Sequence, residues 1–333
     1  MKPSLSAIPT ALLAAAIALG GPLVPARAAE VTLYNGEPAN AVGATFAGWG
    51  AGSAEYTTEE RQNTRGSLRV KVRDFYQGAR IDFAEPRDIG PVLRQPNAYL
   101  AVTLKLGTGS VTVPGGMGRP GGMMGPGGMG AGMPGPGGMP GPGGMPGGMG
   151  GPGAGTTVQL PSVSKLRVML VGAQGTLEAM SVGEIKSGPQ GWVTVGLPLD
   201  DLAKEVTGEQ FLLKRLVIGA NAPDTLHITR IVALNDDTAI RANVTASRQN
   251  GIRAAQERVV FSATGQAGVT PLKVTWDWDA SDGVQEEAVG ERIEHAFSAV
   301  DAPKRYTVTC TVKPADSSKK APLVKTLQVE VVP

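Results

Sequence analysis

Residues Ser67 to Arg73 read SLRVKVR, and residues Tyr99 to Leu106 read YLAVTLKL. In the first stretch Leu68, Val70 and Val72 fall on one side of an extended chain and Arg69, Lys71 and Arg73 on the other, because successive strand side chains point to opposite faces. In the second, Leu100, Val102, Leu104 and Leu106 share a side. This period of two predicts half-buried strands. It returns in KLRVMLVG from Lys165, GWVTVGLPL from Gly191, LLKRLVIGA from Leu212 and TLHITRIVAL from Thr225. A helix is predicted only in PLDDLAKEVTG, from Pro198, with Asp200 as its cap and Gly208 as its terminator. Many short strands with Gly, Pro and Asn between them predict a sandwich or jelly roll rather than alternating β and α units.

The same period continues beyond Arg241, in ERVVFSATG, LKVTWDWD, ERIEHAFS, KRYTVTCTV and KTLQVEVV. There Val274, Trp276 and Trp278 share one face, and Tyr306, Val308, Cys310 and Val312 another. Cys310 therefore reads as a small buried hydrophobe, and as the single cysteine it excludes an intramolecular disulfide framework. A length of 333 residues fits about two domains.

Residues 1–28 carry Lys2, the apolar run ALLAAAIALG and then ARA, the pattern of a secretory signal peptide cleaved after Ala28. The apolar run is shorter than the ~20 residues a spanning helix needs, so no membrane span is expected after cleavage. Without this segment the Lys plus Arg count falls from 31 to 29 and equals the 29 Asp plus Glu. A near-neutral chain offers no basic field for nucleic acid. Residues 114–155 are of another kind: 22 of the 42 are Gly and eight are Met, with Arg119 the only charge. Gly does not recur every third residue, which excludes collagen. Such a composition buries too little apolar surface to offset its ordering entropy, so a disordered insertion inside a domain is predicted. Its thioethers offer Cu(I) only a sparse ligand set, without His or Cys.

Two resemblances follow. The succession GSLRVKVRDFYQGARIDFAEPRDIGPVL, YLAVTLKL, KLRVMLV, GWVTVGLPLDDL and KRLVIGANAPDTLHITRIVAL resembles the galactose-binding-like β-jelly roll of many carbohydrate-binding modules. It departs from that family where Thr229 and Arg230 stand before Ile231 in place of an Asp-rich ending. VFSATG, WDWDASDG, HAF and YTVTCTV, in that order, resemble the PKD domain, an immunoglobulin-like sandwich. The fold class expected is all-β: a signal peptide over 1–28, a jelly roll over 29–240 with the 114–155 insertion, and a PKD-like sandwich over 241–333. The signal-like segment, the poor catalytic inventory and the resemblance together imply a secreted, periplasmic or cell-surface protein, not an enzyme, that binds polysaccharide, a cell-surface glycan or a protein through the jelly roll, with the second sandwich as spacer or interaction module. The alternatives are a structural envelope or matrix protein and an accessory part of a polysaccharide-degrading system.

Candidate residues are few, and no catalytic residue is assigned. His227 and His295 have no nucleophile motif beside them, and adjacent Glu286 and Glu287 on a turn point apart rather than forming a glycosidase pair. Trp49, Tyr56 and Tyr76 lie in turn-like or polar contexts, Trp49 in a loop, and are the candidate ligand-binding residues, since a sugar ring stacks its C–H face on an aromatic ring. Trp192, Trp276 and Trp278 are assigned to the core. No cofactor is expected. Asp277, Asp279 and Asp282 form a weak Ca²⁺ candidate, whose spacing does not match an EF-hand loop; the favoured reading is a solvated hairpin end whose Asp side chains bond backbone N–H groups.

Overall fold

The computed structural model describes residues 30–107, 110–113, 156–159 and 163–333. The proposed signal segment and the Gly/Met-rich stretch lie outside the described residues. The described chain is all-β, built on two hydrophobic cores.

The first core lies between two sheets. Their strands, in chain order, are β1 (Glu30–Tyr34), β2 (Ala44–Trp49), β3 (Ser53–Thr57), β4 (Ser67–Val72), β5 (Gly78–Asp88) and β6 (Ala98–Lys105). After β7 (Ser110–Val113) and β8 (Thr156–Gln159), which pair with each other, come β9 (Leu166–Gly172), β10 (Gly175–Met180), β11 (Trp192–Pro198), β12 (Leu212–Ala220) and β13 (Asp224–Asn235). One sheet has the order β11-β6-β13-β4-β3, with β1 also on β13; the other is β10-β9-β12-β5-β2. The alternation read in SLRVKVR is realised: Leu68, Val70 and Val72 are buried while Lys71 is exposed. Facing them across the core, Ile81, Leu170, Leu216 and Ile218 are fully buried.

The second core is enclosed by β14 (Arg241–Ala246), β16 (Val259–Gln266) and β19 (Arg292–His295) on one side. On the other side lie β15 (Ile252–Arg253), β17 (Leu272–Asp277), β18 (Ala288–Val289), β20 (Lys304–Pro314) and β21 (Leu323–Val332). Trp276, Phe261 and Cys310 are buried in it, and Trp276 stacks on Trp278 with centroids 6.0 Å apart. Burial alone pushes the Cys310 thiol up to about 11.

The two sandwiches are pinned together at one end of the first. Asp236, just beyond β13, is buried and accepts hydrogen bonds from the Val269 N–H (2.8 Å), the Thr270 N–H (3.1 Å) and the Thr270 hydroxyl (2.9 Å). Lys320 completes the cluster at 3.0 Å, both side chains being nearly inaccessible. Alongside, the Tyr99 hydroxyl donates to Asp316 (2.6 Å), and a Cβ at Gly196 would stand 2.0 Å from the Val269 carbonyl oxygen.

The helix predicted after Pro198 is only a 3₁₀ turn, Leu202–Glu205. Its intended cap is engaged elsewhere: Asp200 accepts from the N–H groups of Asn97 (3.1 Å) and Ala98 (2.7 Å), tying the start of β6 to the end of β11. A long-range pairing has overridden the local capping preference.

Candidate functional site

Residue parity decides what the five-stranded sheet shows to solvent. With Ile81, Leu216 and Leu170 turned inward, the register places Asp82 and Arg80 of β5, Arg215 of β12, Arg167 and Met169 of β9, and Glu178 and Met180 of β10 on the outer side. Trp49, paired with Gly78, ends β2 on that same side. The turn from Asp74 to Gln77 closes β4 to β5, with Asp74 accepting from the Tyr76 N–H (2.7 Å) and the Gln77 amide (2.8 Å). It brings Tyr76 over the same sheet. Gly219 permits this: a Cβ there would stand 2.4 Å from the Phe75 carbonyl oxygen.

Each ring is held by an arginine. The Arg167 guanidinium lies 4.7 Å from the centroid of Tyr76, and that of Arg215 lies 5.9 Å from the centroid of Trp49. Cation–π contacts of this kind contribute about 0.5–1 kcal/mol at exposed sites. Arg167 is itself fixed, donating to both carboxylate oxygens of Glu178 (2.6 and 2.5 Å) and to the Phe75 carbonyl (3.0 Å). The hydrogen bond from Arg167 holds the Glu178 carboxyl below its usual range. Asp82 sits between two guanidiniums, 3.2 Å from Arg80 Nε and hydrogen-bonded to Arg215 Nε. Tyr76 remains 67% exposed, so one ring face is free to receive a ligand. The arrangement is a flat sheet surface with two oriented aromatic rings and fixed charges between them, suited to stacking and hydrogen-bonding a ring-shaped polar ligand.

Of the three sequence candidates, Trp49 and Tyr76 are thus brought to one face. Trp49 closes a strand instead of lying in a loop, because its pairing with Gly78 extends the ladder. Tyr56 is elsewhere: it pairs with Leu68 in the opposite sheet and packs, half-buried, against Gly66. The arginines and carboxylates were not singled out from sequence. Their outward parity is readable in LRVML and GARIDF, but which strands lie side by side is not.

In the acidic turn of the second sandwich the Asp side chains bond backbone N–H groups as expected, but Asp277 is not solvated. Asp277 is buried and accepts from the N–H groups of Asp279 (2.9 Å) and Gln285 (2.6 Å). Asp279 accepts from the Ser281 N–H and pairs with Lys304 (3.1 Å), while Asp282 is exposed. Among the described residues no group of three or more His, Cys, Asp or Glu side chains is placed to hold a metal ion. Glu286 is gripped by Lys273 and Lys313, whose hydrogen bonds hold its carboxyl down at about 2, and Glu287 accepts from the Trp278 N–H (2.6 Å). The two therefore do not act together as acid and base. His295 stacks on Trp278, 4.0 Å between centroids, and burial lowers its pKa. His227 lies on the outer side of the other sheet, 3.4 Å from the hydroxyl of buried Ser67, and burial lowers its pKa too.

No family model matches the chain, and no curated protein matches it. Two solved structures are similar in shape. One is the glycoside hydrolase domain of Endo-D from Streptococcus pneumoniae, with 10% identity, a TM-score of 0.27, and coverage of 85% of this chain and 36% of that one. The other is β-1,2-glucanase from Parabacteroides distasonis, with 10% identity, a TM-score of 0.32, and coverage of 91% of this chain and 39% of that one. This chain thus spans well under half the length of either, and no residue of either is carried over to it. Both neighbours are glycoside hydrolases, which runs against two expectations, a non-catalytic binding or adhesion protein and a chain that is not an enzyme; at these TM-scores no activity of theirs is carried over to this chain. No helix among the described residues is long and apolar enough to cross a membrane.

Proposed function

We propose that this chain is a component of a polysaccharide-degrading system and holds a polysaccharide on the outer face of the five-stranded sheet. The observation that carries the reading is the pair Trp49 and Tyr76, each ring oriented by an arginine over the same sheet surface. Aromatic rings offer a sugar large contact area at small entropic cost, and fixed ion pairs around them supply hydrogen-bonding groups that need no reordering on binding. The signal-like residues 1–28 favour an exported protein, where such polymers are met.

The test is titration of the full chain with soluble polysaccharides, with release of reducing ends measured on the same samples. Replacing Trp49 or Tyr76 by Ala is expected to weaken binding by about 1–3 kcal/mol while the melting temperature holds. If no polymer binds at millimolar sugar, or both variants bind as the parent does, the reading is wrong.

A further inference from the structure

The charges on this face are unevenly matched. Glu178 neutralises Arg167 through two hydrogen bonds, but Asp82 alone serves both Arg80 and Arg215. Three guanidiniums face two carboxylates, and the surplus positive charge lies beside Trp49. Both arginines meet Asp82 through Nε. Their terminal Nη groups make no hydrogen bond to any of the described residues, and the inaccessible Arg80 Nε has no partner in hydrogen-bond geometry. Arg80 and Arg215 are each about one-third exposed, so these groups are open to a ligand.

A guanidinium edge with two parallel N–H groups matches the two oxygens of a carboxylate. An aromatic ring within reach of the same guanidinium matches the apolar face of a pyranose ring. A sugar carrying its own carboxylate satisfies both at once. Resting on the polysaccharide reading above, we infer that this face selects a uronate-bearing polysaccharide, with the uronate carboxylate bound by the Nη groups of Arg80 and Arg215 and the sugar ring on Trp49. Asp82 then acts as a positioning residue, holding the two guanidiniums by Nε so that their Nη groups point outward.

The test titrates the full chain, and its Arg80→Gln variant, with polygalacturonate, a neutral glucan and dextran sulfate. Melting curves confirm that the variant is folded. The parent is expected to prefer polygalacturonate over the neutral glucan by about tenfold or more, as suits a charge-assisted contact. Arg80→Gln is expected to remove most of that preference, weakening polygalacturonate binding far more than glucan binding. Equal affinity for polygalacturonate and glucan in the parent overturns the inference and leaves the polysaccharide reading standing. Equal binding of dextran sulfate, lost in parallel in the variant, overturns it in favour of an unselective polyanion surface. If none of the three binds, the inference and the reading of the face both fail.

Discussion

Replacing Lys320 by Met tests how the two sandwiches are joined. Its ammonium group is 3.0 Å from Asp236 and also donates to the Ala267 carbonyl (3.1 Å), with side-chain exposures of 6% and 3% for Lys320 and Asp236. Methionine keeps the length of the stem and leaves the Asp236 carboxylate buried without its counter-charge. Breaking a buried pair from one side costs about 3–5 kcal/mol, because an uncompensated charge remains. Thr270, Val269 and Thr238 still donate to Asp236, which argues for the lower end of that range. At ~2–4 °C per kcal/mol for a unit of this size, the melting temperature falls by about 6–12 °C. The double variant Asp236→Asn with Lys320→Met removes both charges and recovers part of the loss. Urea unfolding of the four proteins gives the coupling energy directly. A Lys320→Met loss under about 1 kcal/mol, the size of an exposed pair, refutes the buried-clamp reasoning.

Four further outcomes are expected. Burial pushes the Asp236 carboxyl up, but hydrogen bonds from Thr238, Lys320 and Thr270 outweigh it and leave the group below its usual value. The unfolded chain then binds that proton at the higher pH, so this stabilisation is full above about pH 4 and is lost as pH falls further. Urea titrations taken downward from about pH 5 should show a shallower decline in Asp236→Asn. His295, its pKa lowered by burial against Trp278, contributes in the same sense, so stability declines as pH drops below about 6.5, and His295→Gln removes that part of the slope. Gly196→Ala places a methyl 2.0 Å from the Val269 oxygen and should lower stability by about 1–3 kcal/mol, as overpacking does, read by thermal melting. Cys310, buried with its thiol raised to about 11, should resist alkylation in the folded protein and react after unfolding, followed by mass spectrometry.

The all-β character was legible because hydrophobic parity is local: SLRVKVR, YLAVTLKL and KRYTVTCTV each state which side faces the core before any partner is known. Trp276, Trp278 and Cys310 could be assigned to the second core by the same rule. Long-range competition escaped it. Asp200 satisfies every local condition of a helix cap, yet two backbone N–H groups about a hundred positions earlier claim its carboxylate. Asp277 alternates outward by sequence and is nevertheless buried, because the chain around Gln285 folds back over it. The candidate face was half visible. Trp49 and Tyr76 stood out as aromatics away from alternating core strands, whereas Arg80, Arg167 and Arg215 look like ordinary solvent-facing residues until β5, β12 and β9 are known to be neighbours.

The most direct measurement is calorimetric titration of the full chain and of the Trp49→Ala, Tyr76→Ala double variant with soluble polysaccharides, under conditions where both melt alike. Binding by the parent and its loss in the double variant is the expected result, since the two rings are the stacking surfaces on which the face depends. Undiminished binding in the double variant, or no binding by the parent to any polymer, would contradict the assignment of this sheet face as the polysaccharide site.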